Sequence, residues 1–347
     1  RWVAWRMKGA PTDDWLTSPR EEVYGKSRWD STKDAAEFIC WWLDYTGMDI
    51  PWCEGETTGW GGADGALLEQ VKRATTPEEI SHYYANSDLY EPYPAYVCLT
   101  GLKCSADIAE ALGETELAKR WREYAQRIAV GMIRKLAEGP AGAREWRVSP
   151  NSVYPSFQDS LVQAWFAFYR DGLDPLAWDP TMTAYSRNTL KRQLAQPYGH
   201  APALAMGYGM GWITKAALLL DELDDAGPLL TNIAKYTWDK NMDYVDEAHG
   251  VDWRLYQWII PEGTNILPDG SWYRIGDLSN GANQGAALHA LEQCAGVDDT
   301  NPADLKLLPR VPEPLTGIEV NDFPMLIPEG EGLTQAKIGR ASGRERV

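Results

Sequence analysis

From Tyr93 onward the sequence alternates two kinds of helix-forming stretch, and this alternation restricts the chain to a two-layered helical architecture. One kind is apolar all round: Pro94–Leu112 has no charge before Lys103, Phe157–Tyr169 carries only Asp159, Ala203–Leu220 only Lys215, and Leu278–Leu291 none. A helix apolar on every side is expected to be buried on every side. The other kind has a single stripe, clearest in Leu117, Trp121, Tyr124, Ile128, Met132 and Leu136, set among Lys119, Arg120, Arg122, Glu123 and Arg127. Such helices, with Thr181–Ala195 and Ala226–Trp238 as shorter examples, belong on an outer layer.

The connections sort by the same rule. Inner-to-outer links are short and polar, as in Gly113-Glu-Thr115 and Asp224-Asp225. Outer-to-inner links are long and aromatic: Met48–Gly62, Asn86–Tyr93, Trp146–Ser156, Gln196–Ala201 and Asn241–Gly276. In antiparallel hairpins all links of the second kind emerge at one end, where a site would be built. Helix starts are marked by Thr76-Pro77-Glu78-Glu79 and by Asp179-Pro180. Strand signals are scarce before residue 305, so the expected fold class is all-α, with helical hairpins closed into a ring. The Pro-punctuated segment Leu305–Phe323 then reads as the start of a small β appendage.

Composition removes several functions. The 347 residues hold 50 acidic and 33 basic side chains, a formal net charge of −17, so the basic footprint of a nucleic-acid partner is missing. The most apolar stretch, Ala201 to Leu220, is interrupted by Lys215 and three glycines, so no membrane span is expected. Cys40, Cys53, Cys98, Cys104 and Cys294 are odd in number and scattered, supporting neither a disulfide scaffold nor a metal site, and no cofactor is implied. Tryptophan is the outlier: 17 Trp and 17 Tyr against 5 Phe. Rings with a polar handle suit either a Trp-rich core or a wall that covers a ligand.

Four segments carry a resemblance. Glu56-Thr-Thr-Gly-Trp60-Gly-Gly-Ala-Asp64 resembles the E-x-x-G-W-x-G-D loop of bacterial α-L-rhamnosidases, one residue longer here before Asp64. Asp88-Leu-Tyr-Glu91 is similar to the D-L-W-E segment of glucoamylases, and Glu262, ahead of Asp277-Leu-Ser-Asn, resembles the position of their catalytic base. Leu307-Leu-Pro-Arg-Val-Pro resembles a β-domain segment of fucosidase-like members. The chain thus resembles, at superfamily level and over roughly residues 31–326, the six-hairpin (α/α)6 toroid glycoside hydrolases.

The resemblance implies a carbohydrate substrate, Glu262 as base, and Glu56 or Glu91 as acid, with inversion at the anomeric carbon. Such chemistry needs two carboxyl groups about 6.5–9.5 Å apart for inversion, or about 5–5.5 Å for retention. The acid also needs apolar cover to stay protonated. Glu56 has Trp52 and Trp60 nearby in sequence and Glu91 has Tyr90 and Tyr93, so composition does not choose between them. Trp60, Asp64, Trp52, His200, Trp272, Arg274 and Asp277 are the expected substrate contacts.

Each has a structural reading beside the functional one. Asp277 precedes an apolar run as an N-cap would; Glu262 follows a proline as a turn residue would; His289 reads as packed. Gly207, Gly209 and Gly211 lack the preceding strand that a phosphate loop needs, so close helix packing is expected of them. Two rivals stay open: a polysaccharide lyase on the same ring, using a pair such as Tyr198 and His200, and a non-catalytic carbohydrate-binding scaffold. The expected domains are residues 1–300, a toroid lacking its N-terminal part; 301–337, the start of the β appendage; and 338–347, a tail resembling translated adapter sequence.

Overall fold

The computed structural model describes residues 1–51, 73–85, 92–147, 163, 171–172, 179–195, 204–238, 245–247, 250–252, 254, 263–266, 272–275, 281–298, 300–301, 304–329 and 332–343. The described chain is mostly helical. Its helices are α1 (Trp2–Met7), α2 (Asp14–Thr17), α3 (Arg28–Thr46), α4 (Pro77–Ala85), α5 (Pro92–Ala111), α6 (Thr115–Leu136), α7 (Pro180–Leu194), α8 (Gly207–Leu219), α9 (Leu223–Trp238) and α10 (Gly281–Ala295). None is long and apolar enough to cross a membrane.

Local chemistry sets the ends. Ser27 caps α3: its hydroxyl accepts from the Asp30 amide at 2.9 Å while the Asp30 carboxylate accepts from the Ser27 amide at 3.3 Å. Gly47 closes the same helix at φ 65°, a left-handed value that a side chain resists. Asp179 accepts from the amides of Thr181 and Met182 at 2.9 and 3.0 Å, with Pro180 in the first turn as expected. Before α4, Thr76 accepts from the Glu79 amide at 3.2 Å, and Glu79 reaches back to the Thr75 amide at 2.9 Å. That bond to Thr75 is the main reason the Glu79 carboxyl titrates below its usual range.

The two kinds of helix differ in burial as their letters require. On α5 and α8 buried residues lie on several sides; Ile213 and the run from Ala216 to Leu220 are all at most 3% exposed. On α6 one stripe is buried, including Trp121, Ile128, Met132 and Leu136, and each large side chain covered there contributes about 1.5–3 kcal/mol. Helix α5 packs against α6 and α3, and α8 against α9 and α10. Trp29 and Trp121 meet edge-on in the α3–α6 core, with ring centroids 5.8 Å apart.

Three expectations need correction. Helix α10 is not buried all round: Leu288 and Leu291 are 59% and 48% exposed, because α8 covers one flank and no described helix covers theirs. His289 is likewise half-buried rather than packed. The run Ala203–Leu220 is also not one helix, since Leu204–Met206 form a strand, β3, before α8 begins. Strands before residue 305 are few and short among the described residues, as expected. Short pairs occur between β1 (Ala137–Glu138) and β2 (Glu145–Trp146), β4 (Val245–Asp246) and β5 (Val251–Asp252), and β8 (Val297–Asp298) and β9 (Lys306–Leu307). Beside β3 run β6 (Gly263–Ile266) and β7 (Trp272–Ile275).

The segment after α10 is strand-like, as its prolines and branched residues suggest. Pairing of β8 with β9 returns it to the end of α10, where Leu308 donates to the Gly296 carbonyl at 2.7 Å and Arg310 to that of Cys294 at 3.0 Å. The Arg310 side chain, 4% exposed, donates to Asp221 in the α8–α9 turn at 2.9 Å. Two long strands follow, β10 (Ile318–Glu329) and β11 (Gly332–Gly343), paired from Glu329↔Gly332 back to Ile318↔Gly343. Among the described cysteines, Cys40 and Cys294 are buried free thiols, and burial raises Cys40 to about 12 and Cys294 to about 11.

Candidate functional site

A ring contact joins the first turn of α5 to α8, helix packing joins α8 to α10, and a small sheet adjoins the start of α8. Helix α5 opens with Pro92-Tyr93-Pro94, prolines in a first turn whose amides have no helical acceptor. The Tyr93 ring stacks on that of Trp212 in α8, with centroids 5.2 Å apart and planes at 29°. Helix α8 follows β3 without a break, and β6 lies between β3 and β7. The register sets Gly263 opposite Met206 on one side and Ile275 on the other; Thr264 faces Ala205 and Arg274, and Asn265 faces Leu204 and Tyr273.

The sequence-expected site residues relate to this frame through the chain. Glu262 lies outside the described residues, immediately before Gly263 at the head of the central strand. Glu91 also lies outside them, immediately before Pro92 at the head of α5. Glu56, Trp52, Trp60, Asp64, His200 and Asp277 lie outside them as well, Asp277 two residues after β7 ends. Trp272 and Arg274 are on β7, paired with Ile266 and Thr264. The strand that begins beside Glu262 is thus hydrogen-bonded on one side to the strand that feeds α8 and on the other to the next strand in the chain, which ends two residues before Asp277.

Helices α8 and α10 approach closely in their first halves. A Cβ placed on Gly211 would lie 2.6 Å from the Ala286 carbonyl carbon, so a side chain there has no room. This bears out the packing reading of the glycine run at Gly211. Farther along the same interface stands a charged group that sequence reading treated only as an interruption. Lys215 is 1% exposed; burial lowers its ammonium to about 7, with Glu292 on α10 pulling it back up. His289, one turn from Glu292 and 3.9 Å from its carboxylate, is also lowered, by burial first and then by Lys215, with Glu292 opposing both.

A cleft of about 260 Å³ lies beside α5, α6 and α7, lined by Tyr96, Lys103, Arg122, Gln126, Asp171 and Asp179 among others. Its charges are largely consumed internally. Lys103 pairs with Asp171, Arg122 pairs with Asp107 and Glu110, and Asp179 caps α7. The cleft is smaller than the usual ligand pocket of roughly 300–1,000 Å³, and its side chains have structural employment.

Tyr93 and Trp212 were not singled out as site residues by sequence. Tyr93 lies two residues after Glu91, which is a usable signal; Trp212 has none, because an aromatic inside an apolar helix reads as core. Compared with known proteins, the chain matches no family model and no curated protein.

Proposed function

We propose that this chain is a glycoside hydrolase of the six-hairpin toroid type, removing a terminal sugar from a glycan or oligosaccharide. Glu262 serves as the general base, and Glu91 or Glu56 as the acid that protonates the leaving oxygen. The observation that supports this most is the sheet β3–β6–β7. It joins the residue after Glu262 to the strand that starts α8 and to the strand that precedes Asp277 and α10. The Tyr93–Trp212 stack brings the α5 end, next to Glu91, to the same helix.

The chemistry follows from that layout. A carboxylate activating water on one face of the sugar and a carboxylic acid on the other need rigid supports drawn from distant parts of the chain. Helix N-termini and a sheet provide such supports, and aromatic rings give the apolar cover that holds an acid protonated. The anionic chain favours a neutral substrate over a uronic-acid polymer, which would be repelled.

The test is a panel of aryl glycosides assayed with the wild type and with Glu262→Gln, Glu91→Gln and Glu56→Gln. Glu262→Gln should lower kcat by several orders of magnitude while the thermal unfolding midpoint stays in place. One of the other two should lose activity on poor leaving groups more than on good ones. NMR of the first-formed anomer should show inversion. Near-normal turnover by Glu262→Gln removes it from the mechanism, and unsaturated, UV-absorbing products would establish a lyase instead.

A further inference from the structure

Helix α3 carries apolar side chains on two opposite sides. One side, Trp29, Ala36, Cys40 and Leu43, is buried in the core. The other is a continuous aromatic row: Phe38, Trp41, Trp42 and Tyr45. Phe38 is 59% exposed and Trp41 50%, whereas core-facing Trp29 is 5% exposed. The rings lie against one another along the helix, Phe38 and Trp41 tilted with centroids 5.7 Å apart, and Tyr45 stacked near Trp41 and Trp42 with centroids 5.1 and 6.1 Å away. The Phe38 and Trp42 rings are stacked, their planes 13° from parallel and their centroids 6.5 Å apart. Seven residues of helix make the row about 10 Å long.

We propose that this row is a binding track for a neutral saccharide chain, separate from the site at the helix ends. An exposed apolar patch on a folded protein marks a contact surface, and the chemistry of this one selects its occupant. The patch is wholly aromatic, and flat rings match the C–H faces of pyranose units, whereas a helix docking there would be met by interdigitating aliphatic side chains. Exposed carboxylates flank it: Asp34 lies one turn before Phe38 on the same side, and Asp44 precedes Tyr45. Each is an acceptor for sugar hydroxyls while held in place, Asp34 by Lys26 and Asp44 by Arg127.

Charge decides against the other occupants. With a net charge of −17, an anionic polymer, an acidic membrane surface or a second copy of the chain meets repulsion on approach, while a neutral glycan does not. The row also has a direction: it runs to Gly47, after which the sequence enters the segment holding Glu56 and Trp60. A track of this kind extends the proposed hydrolase to a chain-like substrate, and it rests on that reading only for its biological use.

The test is affinity electrophoresis of the full chain through gels containing amylopectin, xylan or laminarin. At least one polysaccharide should retard the wild type, and Phe38→Ser combined with Trp41→Ser should weaken the apparent affinity at least tenfold. The conservative pair Phe38→Tyr and Trp41→Phe should retain most of it. Because both rings project from the exposed side, circular dichroism melting should change little. If the serine pair does not fold, protection of Trp41 from N-bromosuccinimide oxidation by the retarding polysaccharide gives the same answer in the wild type.

No retardation by any of the three, retardation unchanged in the folded serine pair, or an unprotected Trp41 overturns the proposal. A wild-type dimer split by the serine pair in light scattering also overturns it, since the row is then an interface between copies. Retardation without cleavage of any glycoside keeps the track and removes the hydrolase. Cleavage of aryl glycosides without retardation does the reverse.

Discussion

Lys215 gives a prediction whose sign and size both follow from its position. The ammonium is enclosed between α8 and α10 and titrates at about 7 rather than at its ordinary 10.5. Below pH 7 the side chain is protonated in the folded and unfolded states alike, so the full cost of burying the charge is present. Between pH 7 and 10.5 the unfolded chain binds a proton that the folded chain does not, and stability rises with pH across that window. A difference of 3.5 pH units at about 1.4 kcal/mol per unit gives about 5 kcal/mol. Lys215→Met keeps the volume and removes the titration. Its urea-unfolding free energy should exceed that of the wild type at pH 6, and the gap should close by about 5 kcal/mol on going to pH 10.5. Tyrosine and cysteine titrations affect both proteins equally and cancel in the difference. Parallel stability curves across this range would show that Lys215 holds its proton as in water, and the account of the interface would fail.

The remaining predictions concern packing and the same charged cluster. Gly211→Ala must push α8 and α10 apart against the Ala286 backbone, costing about 1–3 kcal/mol by overpacking, less about 1 from better helix propensity; a thermal midpoint above that of wild type would contradict the close approach. Trp121→Ala empties a site that is 0% exposed and removes the donor that Glu37 accepts from at 2.7 Å, so a loss of about 3–5 kcal/mol is expected in urea unfolding. In Lys215→Met the His289 imidazole should titrate at higher pH than in wild type, because a neighbouring cation that lowers it is gone; an unmoved NMR titration would place Lys215 elsewhere.

Much of the helical frame is readable from letters because its causes are local. A cap needs one oxygen within three residues, so Thr76-Pro77 and Asp179-Pro180 mark the starts of α4 and α7 correctly. A stripe needs only the helical period, so Leu117 to Leu136 predicts the buried side of α6, with Leu117 and Tyr124 at its margin. The Asp224-Asp225 pair, expected as a link, is instead the first turn of α9, where carboxylates favour the positive end of the helix dipole. Leu204–Met206 is apolar like the helix it precedes, and only pairing with β6, far along the chain, makes it a strand. No periodicity in three residues could have distinguished the two.

The candidate site divides along the same line. Glu56, Glu91 and Glu262 are legible only as residue types in links between helix-forming stretches and lie outside the described residues, and the helix-end location is the expectation that follows from where such links emerge. The three-stranded sheet and the aromatic stack at α8 depend on contacts between residues that are neighbours only after folding. The exposure of Phe38 and the burial of Lys215 are non-local in the same sense: one apolar and one charged residue on helices, each on the side that composition alone would not choose. Residues that break the pattern of their own helix are costly to the fold unless something else uses them. Lys215 is partly offset by Glu292 across the interface, whereas Phe38 and Trp41 expose aromatic rings on the side away from the core, surface that a bound saccharide chain would cover.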